Sequence, residues 1–194
     1  MRSPRTSSSR SALPPVALVL LGLLALSPLT AQPPAPAGPA QAPATLLVNE
    51  RHPAPGLATG GAPTTPEGFR ALAAAGYKTF VDLRGDSEVT PEIQAAVEAA
   101  GLAYRRIPIS GDKDLHLGTA RELASVLAER GKEPVALVCG SGNRVGALLA
   151  VKAFWVDGVA PEQALAQGLQ GGLTRLEPSV RTLLGLPAAT ASPQ

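Results

Sequence analysis

The stretch Pro134-Val135-Ala136-Leu137-Val138-Cys139-Gly140-Ser141-Gly142-Asn143-Arg144-Val145-Gly146-Ala147-Leu148-Leu149 decides how this chain folds. The unbroken apolar run 135–138 fits a strand buried on both faces of a sheet. Gly140 and Gly142 then break the run, and the apolar spacing after Arg144 fits a helix extending to about residue 156. A buried strand, a short glycine loop and a helix are the building unit of an α/β protein with a mainly parallel sheet.

Working outward, the turn and cap signals place the other elements. Gly60, Gly61, Pro63 and Thr64 read as a turn, and the first element follows it. Thr64-Thr65-Pro66-Glu67 opens a helix through threonine capping, a proline in the first turn and a nearby acid, and Gly76 ends it. A strand over 78–83 follows. Thr90-Pro91-Glu92 repeats the same start signal, and that helix ends at Gly101. The two helices echo one another, but two copies do not make a repeat protein. A strand over 102–109, a loop over 110–117 and a helix over about 119–130 lead to the central strand. Pro161-Glu162 opens a further helix, and a short one covers 179–184. Helices alternating with strands give an α/β sandwich of one domain, with a central, mainly parallel sheet flanked by helices. Phe154 and Trp155, inside an apolar helix, are expected in the core.

Cys139 is the only cysteine of the 194 residues. At the end of a buried strand and before a helix, it faces backbone N–H groups and the positive helix end, a setting that attracts anions. The helix end and an arginine favour a thiolate there. Attack on a phosphate needs a nucleophile, donors for the equatorial oxygens and an acid for the leaving group. Cys139 fits the first role. The N–H groups of Gly140, Ser141, Gly142, Asn143 and Arg144 can form the cradle, and Arg144 can grip two oxygens at once. Asn143 is expected to steady the loop. Asp112 and Asp114 lie in the loop after the 102–109 strand. Asp112, closer to the strand end, is the candidate acid; a solvated loop residue or helix cap is the alternative. Asp82 and Arg84 either support the loop or form a surface ion pair. His116 reads as a surface loop residue.

Composition bounds the setting. Arg2, Arg5 and Arg10 precede an apolar run over 16–26 and then small residues, the pattern of a signal peptide over 1–31. The run is too short to span a bilayer, although a retained anchor is the alternative. Residues 32–44, rich in Pro and Ala, form a linker, and 187–194 a loose tail, leaving 45–186 as the domain. This predicts a periplasmic or secreted protein with no stable membrane insertion. Three of the 17 basic residues and none of the 15 acidic ones lie in 1–31, so the rest of the chain is nearly neutral. With only one Trp, two Tyr and three Phe, nothing suggests nucleic-acid binding. One cysteine with His52 and His116 cannot build a structural zinc site, so no metal or cofactor is expected.

Several segments together carry a family resemblance: Gly60-Gly61-Ala62-Pro63-Thr64, then Gly76-Tyr77-Lys78-Thr79-Phe80-Val81-Asp82-Leu83-Arg84 and Glu88, then Tyr104-Arg105-Arg106-Ile107-Pro108-Ile109, and finally 138–148. In this order the chain resembles the bacterial dual-specificity-phosphatase-like proteins, including the phosphatase-like domain of the beta-lactamase-hydrolase-like proteins, over residues 57–173. The resemblance implies a protein-tyrosine-phosphatase fold, with Cys139 as nucleophile and Arg144 as the phosphate-binding arginine. Ordinary members place five residues between cysteine and arginine. This chain has four, as the beta-lactamase-hydrolase-like relatives do. Val138 stands where a histidine is usual, and Val145 where a hydroxyl residue is usual.

The expected function is a cysteine-dependent hydrolase of phosphomonoesters, acting on a phosphorylated small molecule or a phosphoprotein through a phosphocysteine. Two alternatives stand beside it. A rhodanese-type sulfurtransferase also closes backbone amides over a cysteine. A non-catalytic anion-binding module would keep the pocket without turnover.

Overall fold

The computed structural model describes residues 45–189. The expected signal peptide, the linker over 32–44 and residues 190–194 of the tail lie outside the described residues. Five strands form one sheet: β1 (Val48–Ala54), β2 (Leu57–Gly61), β3 (Thr79–Asp82), β4 (Ala103–Arg106) and β5 (Val135–Cys139), in the order β1-β2-β5-β3-β4. Strand β5 lies in the middle, parallel to both β2 and β3, and β4 is parallel to β3. Only β1, at the edge, is antiparallel.

Every residue of β5 is buried, as its unbroken apolar run predicts. Side chains alternate across a strand, so β5 feeds two cores. Val135, Leu137 and Cys139 join the larger one, beneath α3 (Leu117–Arg130), α4 (Asn143–Trp155), α5 (Pro161–Gln170) and α6 (Glu177–Leu183). Ala136 and Val138 join the smaller one with Phe69 and Leu72 of α1 (Pro66–Ala74) and Val97 of α2 (Pro91–Ala99). Phe80 anchors that second core, with the Phe69 ring edge-on to it at 5.4 Å. Phe154 and Trp155 pack at the margin of the larger core, only partly buried.

The helix starts follow their caps. Thr65 Oγ1 accepts from Gly68 N at 3.4 Å, and Pro66 occupies the first turn, where no N–H is missed. Helix α3 begins two residues earlier than the apolar spacing suggests, because His116 caps it: His116 Nδ1 accepts from Thr119 N at 3.3 Å. His116 is exposed, and its ring closes the helix end.

The N-terminal hairpin corrects the sequence reading. Gly60 and Gly61, read as a turn, are the last two residues of β2. Their glycine character reflects close approach, since a β-carbon on Gly61 would come within 2.6 Å of the Gly140 carbonyl oxygen. Gly61 thus lets β2 run flush against β5, where Ala62 N donates to the Cys139 carbonyl at 2.8 Å, while Gly60 makes room for the Val48 carbonyl of β1. Strand β4 is also shorter than the expected 102–109. Its direction nevertheless persists: Ile107 N donates to Asp82 O and Ile109 N to Leu83 O, both at 3.0 Å. This extension carries the loop after β4 to the same sheet edge as Cys139.

Candidate active site

Parallel strands deliver their C-terminal ends to one edge of the sheet, and ligands of open α/β sheets bind there. Three such ends meet: Cys139 from β5, Asp82-Leu83-Arg84 from β3, and Ile107-Pro108-Ile109 from β4.

Cys139 is 1% exposed. Its sulfur accepts from Gly142 N at 3.1 Å, which folds the loop back over the thiol. Gly142 makes that reversal at φ +94°, a left-handed conformation that a side chain disfavours, and it caps the N-terminus of α4. The loop is braced from outside by Asn49 on β1, whose Nδ2 donates to Ser141 O at 3.3 Å. Asn143 is buried, and its Oδ1 accepts from Thr174 N at 2.8 Å, Thr174 Oγ1 at 3.1 Å and Leu176 N at 3.1 Å. It fills the loop-steadying role, tying the cysteine loop to the segment after α5.

Arg144, in the first turn of α4, reaches across the sheet edge. Its Nη1 donates to Glu88 Oε2 and, at 3.0 Å, to the Ile109 carbonyl; its Nη2 donates to Glu88 Oε1 at 2.8 Å. Glu88 ends the 3-10 turn Asp86–Glu88 after β3, and its Oε2 also accepts from Gly85 N at 2.9 Å. The hydrogen bonds from Arg144 hold the Glu88 carboxyl down at about 2, against the opposing pull of partial burial. The same bonds raise Arg144, with the nearby Cys139 contributing to its charged form.

A guanidinium carries five N–H donors. Glu88 and Ile109 take both Nη1 donors and one from Nη2. Nε–H and the second Nη2 hydrogen share the opposite edge and have no oxygen partner among the described residues. Nη2 also passes 3.3 Å from where a β-carbon on Gly140 would sit, so this free edge lies over the cysteine loop. Glu88 therefore grips Arg144 from its far end and leaves a two-donor edge beside the cysteine loop. That edge forms a fork that matches two oxygens of a phosphate.

A cavity of about 400 Å³ opens beside the fork, lined by Glu88, Ser110, Gly111, Asn143, Arg144, Arg175 and Leu176. The aspartates behave differently from one another and from the expectation. Asp114 Oδ2 accepts from Ser110 N at 2.6 Å and Gly111 N at 3.2 Å, so it shapes the loop. The structure does not bring Asp112 to Arg144. Its Oδ2 accepts from Ser179 Oγ at 3.2 Å, and it lines a separate cavity with Lys113, Ser179, Thr182 and Leu183. The cause is the 3-10 turn Asp112–Asp114, which swings Asp112 toward α6.

Asp82 and Arg84 do not form a surface pair. Asp82 is fully buried and Arg84 nearly so. Arg84 Nε donates to both Asp82 oxygens, at 2.9 and 3.1 Å, and Nη2 to Oδ2 at 2.6 Å. Burial works against the Arg84 charge, but the bonds to Asp82 outweigh it and raise Arg84. Tyr104, pushed up to about 12 by burial and then by Asp82, stays a neutral donor, its hydroxyl 3.4 Å from Asp82 Oδ2.

The family model described as "DSP-PTPase phosphatase fused to NAD+ Kinase" matches residues 49–174, which include Cys139, Glu88 and Arg144. The chain belongs to this family. Its fold is that of the protein-tyrosine-phosphatase-like proteins, as solved structures also show. A candidate phosphatase of the DUF442 group from Shewanella putrefaciens CN-32 aligns at 20% identity and a TM-score of 0.57, over 72% of this chain and 90% of that one. The PTP-2 phosphatase of Cydia pomonella aligns at 16% identity and a TM-score of 0.57, over 72% and 90%. Tk-PTP in its active form aligns at 20% identity and a TM-score of 0.53, over 70% and 95%. Comparison with curated proteins gives no match. The family match does not extend to the beta-lactamase-hydrolase-like proteins, which the ordered segments and the four-residue loop suggest. The rhodanese alternative gains no support from the family match.

Two residues of the cavity wall escape the motif reading. Glu88 is part of the resemblance, but nothing in its sequence neighbourhood reveals its grip on Arg144. Arg175 has only one signal, a basic residue soon after Gly171-Gly172. No group of three or more His, Cys, Asp or Glu side chains suited to a metal occurs among the described residues.

Proposed function

We propose that the protein hydrolyses phosphomonoesters through a phosphocysteine on Cys139. The observation that carries this reading is the free Nε/Nη2 edge of Arg144 above the cysteine loop. The phosphoryl group sits with two oxygens on that fork and a third on loop N–H groups. The Cys139 sulfur bonds to phosphorus as the bond to the leaving oxygen breaks, and the proton given up by the Cys139 thiol ends on that oxygen. Water then cleaves the sulfur–phosphorus bond, releasing phosphate and restoring the thiol. Arg144 and the loop amides offset charge on the transferring group throughout. No metal or cofactor enters the scheme.

The test is phosphate release from an aryl phosphate. Cys139→Ser is expected to abolish it, and full activity in that variant would sink the phosphocysteine. One observation favours a second reading, an anion-binding module: Cys139 is 1% exposed, so an electrophile must displace what covers it. Phosphate binding by the wild type with no turnover on a broad phosphoester panel would establish that reading instead.

The proposal extends to location. Residues 1–31 act as a signal peptide, and the protein works in the periplasm or outside the cell, free of the membrane. Among the described residues no helix is long and apolar enough to cross a membrane. Sequencing the N-terminus of the exported protein is expected to show a start near residue 32. Retention of Met1 in a cytosolic fraction would refute it.

A further inference from the structure

The cavity beside Arg144 has a second guanidinium on its wall. Arg175 is exposed, and no carboxylate among the described residues forms a salt bridge with it. Three neighbouring arginines each have a carboxylate partner. Arg84 is closed on Asp82, Arg106 on Asp86 at 2.9 Å and on the Arg84 carbonyl, and Arg144 on Glu88. Arg175 is also not on a loose loop. Asn143 Oδ1 accepts from the residues on either side of it, Thr174 and Leu176, so the backbone at 175 is fastened to the cysteine loop itself. One buried amide thus sets the spacing between the nucleophile loop and a second cation.

We infer that Arg175 is a specificity-determining residue, and that the substrate is a small phosphomonoester carrying a second anionic group, best a second phosphate. The first phosphate takes the free edge of Arg144. The second projects along the cavity to Arg175, where a guanidinium can offer a fork of donors. The volume of about 400 Å³ suits a small molecule. Glu88 lines the same cavity, but its carboxylate is paired with Arg144, which leaves Arg175 as the cavity's guanidinium without a carboxylate partner.

This inference rests on the phosphate site proposed above but not on turnover, and binding tests it directly. The probes are inorganic phosphate and methylenebisphosphonate, a pyrophosphate analogue that cannot be hydrolysed, titrated calorimetrically into the full chain. The wild type is expected to bind the bisphosphonate about tenfold or more tightly than phosphate, the scale of one added charge-assisted contact. Arg175→Ala should remove most of that ratio, and Arg175→Lys should keep part of it. An unaltered ratio in Arg175→Ala, or an equal loss for both ligands, would overturn the inference. So would a tyrosine-phosphorylated peptide with neutral flanks that binds as tightly as the bisphosphonate. If no phosphoester is turned over, the phosphatase reading falls while this ratio still decides the role of Arg175.

Discussion

Two arginine–carboxylate pairs stand at the same edge of the sheet, and they differ in which side of the guanidinium is used. Arg84 spends its Nε/Nη2 edge on Asp82, with both partners buried. Arg144 spends its Nη1 end on Glu88 and Ile109 and keeps the Nε/Nη2 edge free. The first pair is closed and can only hold structure. The second is half-open, with Glu88 40% exposed at its side chain, and presents a fork to an anion. The same two residue types thus make a closed brace in one place and a half-open pair in the other.

The comparison breaks most visibly if the buried pair is opened. Asp82→Ala leaves the Arg84 charge unpaired in the interior, which costs about 3–5 kcal/mol. Urea unfolding of the variant is expected to show that loss, and a change within measurement error would mean that Arg84 escapes to solvent. Arg144→Lys should do the reverse. Lysine cannot hold Glu88 and a phosphate with one fork, so kcat should fall about 10²–10³-fold, as when a preorganised donor is lost. The unfolding midpoint should hardly move, because the pair with Glu88 is partly in solvent.

Glu88→Gln probes the orienting half of the open pair. The amide keeps a hydrogen bond but loses the charge, so Arg144 is held less firmly. We expect kcat/KM to fall about tenfold, short of the ~hundredfold that an ångström of misplacement can cost. The sign with pH follows from the carboxyl being held at about 2 instead of its ordinary 4.5. Its contribution is complete above the ordinary value and disappears only as pH drops through about 2. An acid limb in the pH–rate profile above pH 4.5 that disappears in Glu88→Gln would contradict this.

Much of this edge is legible in the sequence, and what is missed has a common cause. The apolar run of β5 announces a central strand, and Thr65-Pro66-Glu67 announces α1, because both signals are local. Cys139, Gly142 and Arg144 sit close together in the chain, so their loop is legible as well. The hairpin of β1 and β2 is not, because Gly60 and Gly61 read as a turn while Gly60 makes room for the Val48 carbonyl of β1 and Gly61 for the Gly140 carbonyl, far along the chain. Glu88 is 56 residues from its arginine. Asn143 is 31 residues from Thr174, so the placement of Arg175 is equally invisible. Pairings across that distance are made by the packing of strand ends and helices, and no local pattern records them.

Asp112 marks the same limit from the other side. Its sequence position, just after the β4 extension, makes it the natural candidate for an acid. The turn Asp112–Asp114 instead sends its carboxylate to Ser179 on α6, while its neighbour Asp114 stays behind to bind the loop amides. A general acid must reach the leaving oxygen, and its removal costs at least about a hundredfold with a poor leaving group. Asp112→Asn should therefore lower kcat/KM by far less than that, and by the same factor for aryl phosphates of high and low leaving-group pKa. A loss that steepens as the leaving group worsens would show that Asp112 leaves Ser179 and swings into the Arg144 cavity when substrate is bound. In that event the open ion pair recruits its acid from a neighbouring cavity, and Ser179→Ala, by freeing Asp112, should raise the rate with the poorest leaving group.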